Sequence, residues 1–192
     1  IDVGLLCVYT TDQLPFWHAS IAKNTAHMCA SEDILVNLDG DNVVGPDFPV
    51  AVVNYFQQGA TGLQFMDGEG TCGRIACRRQ DFLTIRGYDE DAYPMGAQDV
   101  DLVHRLRALP GASVKRARGG PCSAAIPNTL EMKVACCSPV FDGLRWGRMD
   151  HANRTFYSWR RDDGQIVRNR GSAQIGVACW TAPELPPPRR RK

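Results

Sequence analysis

The 192-residue sequence predicts a single α/β domain, a sheet flanked by helices. Two observations carry this. Residues 3–8 and 34–38 are short continuous apolar runs rich in Val, Leu and Ile, the composition of strands buried on both faces. They alternate with longer segments of helical spacing, the pattern of a sheet crossed over by helices.

Residues 2–9 read as a first strand, followed by a loop over 10–15. Ala19, Ala22, Ala26 and Ala30 recur at helical spacing and predict a helix over 18–30. The strand over 34–38 ends in Asp39-Gly40-Asp41-Asn42, all poor strand formers. Residues 46–49 turn the chain into a helix over 50–58. Gly59, Gly62, Gly68, Gly70 and Gly73 then punctuate a loop-rich region. A strand over 74–77 leads into a short helix over 79–85, stopped by Gly87. A helix over 97–109 shows an apolar stripe of Val100, Val103, Leu106 and Leu109. Asp99 and Asp101 fall in its first turn and Arg105 and Arg107 in its last turns, as the macrodipole favours. Residues 146–160 read as helical, and Asp163-Gly164 as the turn of a hairpin. The domain is expected to span 1–182. Residues 183–192, three prolines followed by Arg189, Arg190, Arg191 and Lys192, read as a solvated, disordered tail.

Composition narrows the function classes. A net charge of +1 provides no overall field toward nucleic acid or a membrane surface. Eight cysteines form no CxxC pair, which argues against a structural zinc site. Cys72 and Cys77 are near enough in sequence to pair, or all can remain buried thiols, so the redox compartment stays open.

Two acidic groups carry chemistry. Asp39 and Asp41 sit two apart on a loop after a buried strand, where α/β sheets bind ligands. Both can reach one hard cation, Mg²⁺ or Mn²⁺, which takes oxygen ligands and shares them with substrate phosphates. The plainer reading is a solvated Asp-Gly turn. The second group is Gly96-Ala97-Gln98-Asp99, an acid at a helix start after a Gly-containing approach. Asp99 could take a proton as a general base, or simply cap the helix.

Taken in order, these features resemble the GT-A glycosyltransferases, nearest to the β-1,4-galactosyltransferase branch. The resemblance covers roughly residues 1–109. It rests on Phe16-Trp17-His18-Ala19-Ser20-Ile21-Ala22-Lys23-Asn24, on Asn37-Leu38-Asp39-Gly40-Asp41-Asn42, on Gly73 with the stretch Arg79 to Tyr88, and on Gly96 to Leu102 with Arg105. It implies a GT-A-like mixed sheet with flanking helices. The implied activity is metal-dependent, inverting transfer of a hexose from a nucleotide sugar, with a UDP-sugar as the expected donor, to a hydroxyl of a carbohydrate or glycoconjugate acceptor. Asn24, Asp39 and Asp41 would bind the donor; Asp41 and Asp39, with His151 downstream, would hold Mn²⁺ or Mg²⁺. His151 can equally be a surface histidine on a helix. Asp99 would be the base, with Gly96 and Gln98 at the acceptor. Gln98 stands where the family has a first acid, and Met95 where it has a stacking Trp, so the family's acceptor does not carry over to this chain. The family also begins with a nucleotide-binding strand and helix. Ile1 opens directly in an apolar run, so that strand is expected to be missing, with an open sheet position beside residues 2–9. A Golgi-lumenal site would follow if the full-length chain carries an anchor. The competing expectation is a non-catalytic sugar- or nucleotide-binding fragment of the same fold. A nucleotidyltransferase would need a Gly-rich basic loop near the start, and there is none.

Overall fold

The computed structural model of the chain describes residues 17–66, 72–117, 124–126, 129, 131–132, 146–171 and 175–176. The strand expected over 2–9, the open position beside it and the 183–192 tail lie outside the described residues. The elements in order are α1 (Ala19–Cys29), β1 (Ile34–Asn37), β2 (Asn42–Val43), α2 (Phe48–Gln57), β3 (Gly62–Phe65), β4 (Ile75–Arg78), α3 (Arg79–Thr84), α4 (Gln98–Arg107), β5 (Val114–Ala117), β6 (Ala124–Ala125) and α5 (Trp146–Asp162). None of the described helices is long and apolar enough to cross a membrane.

Four strands form one mixed sheet in the order β1-β4-β3-β5, and β2 pairs with β6 in a separate two-stranded ribbon. β4 runs antiparallel to both neighbours, whereas β3 and β5 are parallel. The two-residue period of a strand sorts its side chains onto opposite faces. Ile75 and Cys77 of β4 join Leu35, Phe82, Ile85, Leu102 and Leu106 in one core, beneath α3 and α4. Ala76, between them, joins Leu63, Phe65, Phe48, Val52 and Phe56 in a second core beneath α2. Helices thus cover both faces of a mixed α/β sheet, and the acidic loop after β1 lies at its edge.

Several local expectations need correcting. The glycine-rich stretch contains β3, all four of whose residues are buried. A strand covered on both faces shows no polar alternation, and Gly62 marks a close approach, since a Cβ there would meet the Val114 side chain at 3.3 Å. β5 was equally invisible, with Lys115 and Arg116 exposed. In α1 the buried face is Ala19, Ser20, Ile21, Asn24 and His27, not the alanine stripe; Ala26 is exposed. In α4 Val100 is exposed, and Asp101 and Arg105 are buried beside Leu102, Val103 and Leu106. Asp163-Gly164 is no hairpin. It closes α5, with Gly164 N–H bonded to Arg161 O and Gln165 N–H to Arg160 O, and the chain continues without a strand over 165–169. Cys72 and Cys77 are both free thiols; Cys77 is buried, and burial pushes it up to about 12.

Charges inside α4 are tolerable because each faces an opposite charge, although Arg105 Nη2 and Arg168 Nε are buried without a hydrogen bond. Asp101 accepts from Arg105 Nε at 2.7 Å and from Arg168 Nη2 at 2.8 Å. Arg168 Nε also lies 3.1 Å from Asp89, which Arg160 engages at 2.8 Å. The network ties α4, the 85–91 loop, α5 and the segment after it into one body. Neutral amides do the rest. Asn169 donates to the Arg86 and Tyr88 carbonyls and accepts from Glu90 N–H, and Asn153 donates to the Tyr93, Met95 and Gly96 carbonyls.

His18 caps α1. Its Nδ1 accepts from Ile21 N–H, so the neutral tautomer with hydrogen on Nε2, which faces the Ala92 carbonyl at 3.1 Å, fits both contacts. Burial depresses its pKa to about 4, against an ordinary 6.5. The unfolded chain therefore takes up the proton first. Stability present above pH 6.5 drains away as pH falls toward 4. His27 behaves alike for the same reason, while burial lifts Asp89 to about 6 and works the opposite way over that range. His18→Asn keeps a cap and removes one titration. Between pH 7 and 4.5 the variant is expected to lose about 2 kcal/mol less than wild type in urea denaturation. Equal losses would show that His18 does not titrate in this way.

Candidate functional site

The site is assembled from three places far apart in sequence. β1 delivers the acidic loop: Asn37, the strand's last residue, turns its amide to Asp39 at 3.1 Å and to the Gly73 carbonyl at 2.8 Å. The loop closes tightly, with Asn42 N–H bonded to Asp39 O, and β2 follows at once. α4 delivers Asp99. α1 delivers Lys23, whose ammonium stands 2.8 Å from Asp99 Oδ1 and 3.5 Å from Asp39 Oδ1. It also lies over the Tyr88 ring, 5.3 Å from the centroid. Asp39 and Asp99, 60 positions apart, thus share one cation.

Burial works to lower the Lys23 pKa, but the Asp99 and Asp39 carboxylates outweigh it and hold the ammonium above its ordinary value. The lysine side chain is 12% exposed and the Asp99 and Asp39 side chains 21% and 36%, so the acids open to solvent while the cation sits beneath them. Sequence reasoning gave Lys23 no role. No signal in the sequence singled it out: the cation expected at the carboxylates was the metal, and the stretches quoted for the resemblance also contain Arg79, Arg86 and Arg105.

Gly73 closes the floor. A Cβ there would stand 2.6 Å from Asp39 Oδ2 and 3.2 Å from Asp99 Oδ2. Both are ends of flexible side chains, so the fold can yield where the site cannot. Gly73 is buried, but the atoms its Cβ would meet are side-chain ends that can turn away, so Gly73→Ala is expected to stay folded with a melting temperature only a few degrees lower, about what 1 kcal/mol costs. It should weaken nucleotide binding in Mn²⁺ at least tenfold. Unchanged affinity would separate Gly73 from the site.

The remaining predicted residues fall as follows. Asp41 is half-buried; its Oδ1 accepts from Asn42 at 2.6 Å and its backbone carbonyl from Ile126 N–H. Asn42 in turn accepts from the buried Arg74. Asp99 is not the cap of α4: that position is Ala97, in the left-handed region at φ 58°, with no side-chain cap. Gly96, at φ 100°, packs against the Asp150 backbone of α5, where a Cβ would lie 2.6 Å from Asp150 Cα. Its surface is therefore covered by protein. Gln98 is half-buried, and its Oε1 is buried without a hydrogen-bond partner.

Asn24 is fully buried. Its amide donates to Tyr88 O and Glu90 Oε1, and its oxygen accepts from Tyr88 N–H, so it clamps the 88–90 loop and presents no surface to a ligand. His151 is exposed on α5, next to the Asp150 that packs on Gly96. It does not join the two loop aspartates: among the described residues no three His, Cys, Asp or Glu side chains converge as metal ligands would. The donor set that remains, the oxygens of Asp41 and Asp39, fits a hard divalent cation that takes its other ligands from phosphates and water. No protein-family model, curated protein or solved structure matches the chain.

Proposed function

We propose that this chain carries a glycosyl-transfer site of GT-A type, moving a sugar from a nucleotide-sugar donor to a hydroxyl acceptor with inversion. One observation above all supports the reading. The loop acid Asp39 and the helix acid Asp99 share a single ammonium, so the group expected at the donor and the group expected at the acceptor lie within reach of one lysine side chain. A solvated turn and a helix cap would have no reason to meet.

In this reading Asp41 and Asp39 hold Mn²⁺ or Mg²⁺ against the donor diphosphate. The ion, when bound, neutralises phosphate charge and supports departure of the nucleotide as a Lewis acid. Asp99 accepts the proton of the acceptor hydroxyl as that oxygen attacks the anomeric carbon. Gln98, whose Oε1 is enclosed, would offer the acceptor only its amide N–H and cannot act as a base. The 93–96 loop is kept rigid by Asn153, which preserves the approach to Asp99.

A screen of UDP-sugars and other nucleotide sugars, with Mn²⁺ and with chelator, tests the reading. Nucleoside diphosphate should be released only with the metal. Asp41→Ala should abolish Mn²⁺-dependent nucleotide binding while leaving the fold intact, because a loop carboxylate contributes ligation and not packing. Calorimetry showing unchanged UDP affinity in that variant would remove the metal assignment. The second reading, a non-catalytic sugar- or nucleotide-binding domain, is favoured by the ion pair that engages Asp99. It predicts nucleotide binding without turnover of any donor.

A further inference from the structure

Every lysine and arginine of the chain except Lys23 lies at or after Arg74, while residues 24–73 contribute carboxylates and no lysine or arginine. A net charge of +1 therefore conceals two opposed parts. The described sheet keeps them apart. β1, at one edge, is flanked by Glu32, Asp33, Asp39 and Asp41; β5, at the other edge, carries Lys115 and Arg116, both exposed. Val114 packs against the core beneath α4, and Ala117 belongs to the core beneath α2. Strand alternation then puts Arg116 on the α4 side and Lys115 on the α2 side.

The α4 side gathers further cations. Arg107 closes α4, and Arg161 lies in the last turn of α5. His104 ties the two helix ends together: burial first, then the charge of Arg161, pushes its pKa down, Arg107 adds to this and Asp101 opposes it. Arg107, Arg116 and Arg161 are exposed, and none of them enters an ion pair among the described residues. Helix C-termini favour nearby cations, which accounts for Arg107 and Arg161. Edge strands carry charge against stray pairing, which accounts for Arg116. Neither reason requires all three on one side. After Asp99, α4 and its cap open to solvent only at Val100, His104, Arg107 and Ala108, a stripe that leads from the proposed base to the cations. Eight residues of helix make that path about 12 Å long.

We propose that this side of α4, α5 and β5 is a docking face for an acidic polysaccharide, whose anionic groups Arg107, Arg116 and Arg161 hold, and that such a chain is the acceptor class. That the partner is a carbohydrate rests on the glycosyl-transfer reading; that it is anionic rests on the charge pattern. Planar guanidinium forks suit oxyanions that accept two bonds at once. A bilayer is the poorer fit: none of the exposed large apolar side chains lies in α4 after Val100, on β5 or on α5, so the face has nothing to insert.

Anisotropy of labelled heparin, titrated with the full chain without nucleotide or metal, tests this, with labelled neutral dextran as the blank. Wild type should bind heparin and not dextran, and more weakly as salt rises. Arg107→Gln, Arg116→Gln and Arg161→Gln should each weaken binding several-fold, and the triple variant by about tenfold or more. Circular dichroism should be unchanged, because all three side chains are exposed. Lys115→Gln removes the same charge from the other side of β5 and should bind within about twofold of wild type. So should the full chain carrying Arg189→Gln, Arg190→Gln, Arg191→Gln and Lys192→Gln. Equal losses in Lys115→Gln and Arg116→Gln would show diffuse attraction and overturn the proposal, as would a loss confined to the tail variant or no heparin binding by wild type. Phosphatidylserine vesicles bound more tightly than heparin, through the same arginines, would overturn it in favour of a lipid surface. Heparin binding with no nucleoside diphosphate released from any donor would keep the docking face and remove the transfer reading, and the acceptor assignment with it. Transfer to acidic acceptors undiminished in the triple variant would overturn the docking face and leave the transfer reading standing.

Discussion

Asp99→Asn should remove sugar transfer and leave the fold unaltered. Losing a general base costs on the order of a hundred- to ten-thousand-fold in rate. The structure sharpens this test, because Ala97 and not Asp99 occupies the capping position of α4. Asn at 99 therefore deprives the helix of no cap bond, but it takes the nearer carboxylate from the largely buried Lys23 ammonium, which keeps Asp39, so a moderate loss of stability is expected beside the few tenths to about 1 kcal/mol at the positive helix end. Donor and metal binding should persist, since the loop aspartates are untouched. The measurement is initial transfer rate with any accepted acceptor, alongside a urea melt. Transfer within a few-fold of wild type would withdraw the catalytic role and leave Asp99 as a surface partner of Lys23.

Two residues along the same helix, the expected outcome reverses. Asp101→Leu should unfold or nearly unfold the protein. Asp101 is 4% exposed, and it is the carboxylate between Arg105 and Arg168, which are 2% and 1% exposed. Removing it leaves two buried guanidiniums undercompensated, and breaking a buried pair from one side costs about 3–5 kcal/mol. A domain of ordinary stability has only about 5–15 kcal/mol in total. A urea midpoint close to wild type would show that water reaches the arginines and that the network is not structural. Together the two variants separate chemistry from architecture within three positions of one helix.

That contrast also shows what was legible in the sequence. Asp39, Asp41 and Asp99 stood out as candidates because acids end a buried strand poorly and, at a helix start, either suit the macrodipole or face a ligand; the fold adds that Asp39 and Asp99 meet at Lys23. The helices over α1, α3, α4 and α5 were found to within a few residues, because their periodicity is long enough to register. Their buried faces were not. Val100 looked like core and Asp101 like surface, since hydropathy has no way to know that Arg105 and Arg168 wait inside to neutralise a carboxylate. β3 and β5 escaped because four-residue strands, one wholly buried and one largely polar, carry no alternation. Lys23 escaped because its meaning lies in distance: a lysine in an alanine-rich helix says nothing until Asp39 and Asp99 are seen around it. Asn24 was placed by resemblance at the donor, and the fold spends it instead on the backbone of Tyr88 and the side chain of Glu90.

The amide clamps have a consequence for how this protein is made. Every residue of the proposed transfer site lies between Lys23 and Asp99, yet the loops that set their approach are held by Asn153 and Asn169 across 57 to 83 positions of chain. A chain released only as far as residue 100 has therefore delivered these side chains but not the amides that hold their loops. The Tyr93, Met95 and Gly96 carbonyls would lack their bonds from Asn153, and Asp101 would lack Arg168. The cleft becomes competent late, when α5 and the residues after it leave the exit tunnel and dock. On the glycosyl-transfer reading, a chain that ends before residue 169 is expected to be inactive.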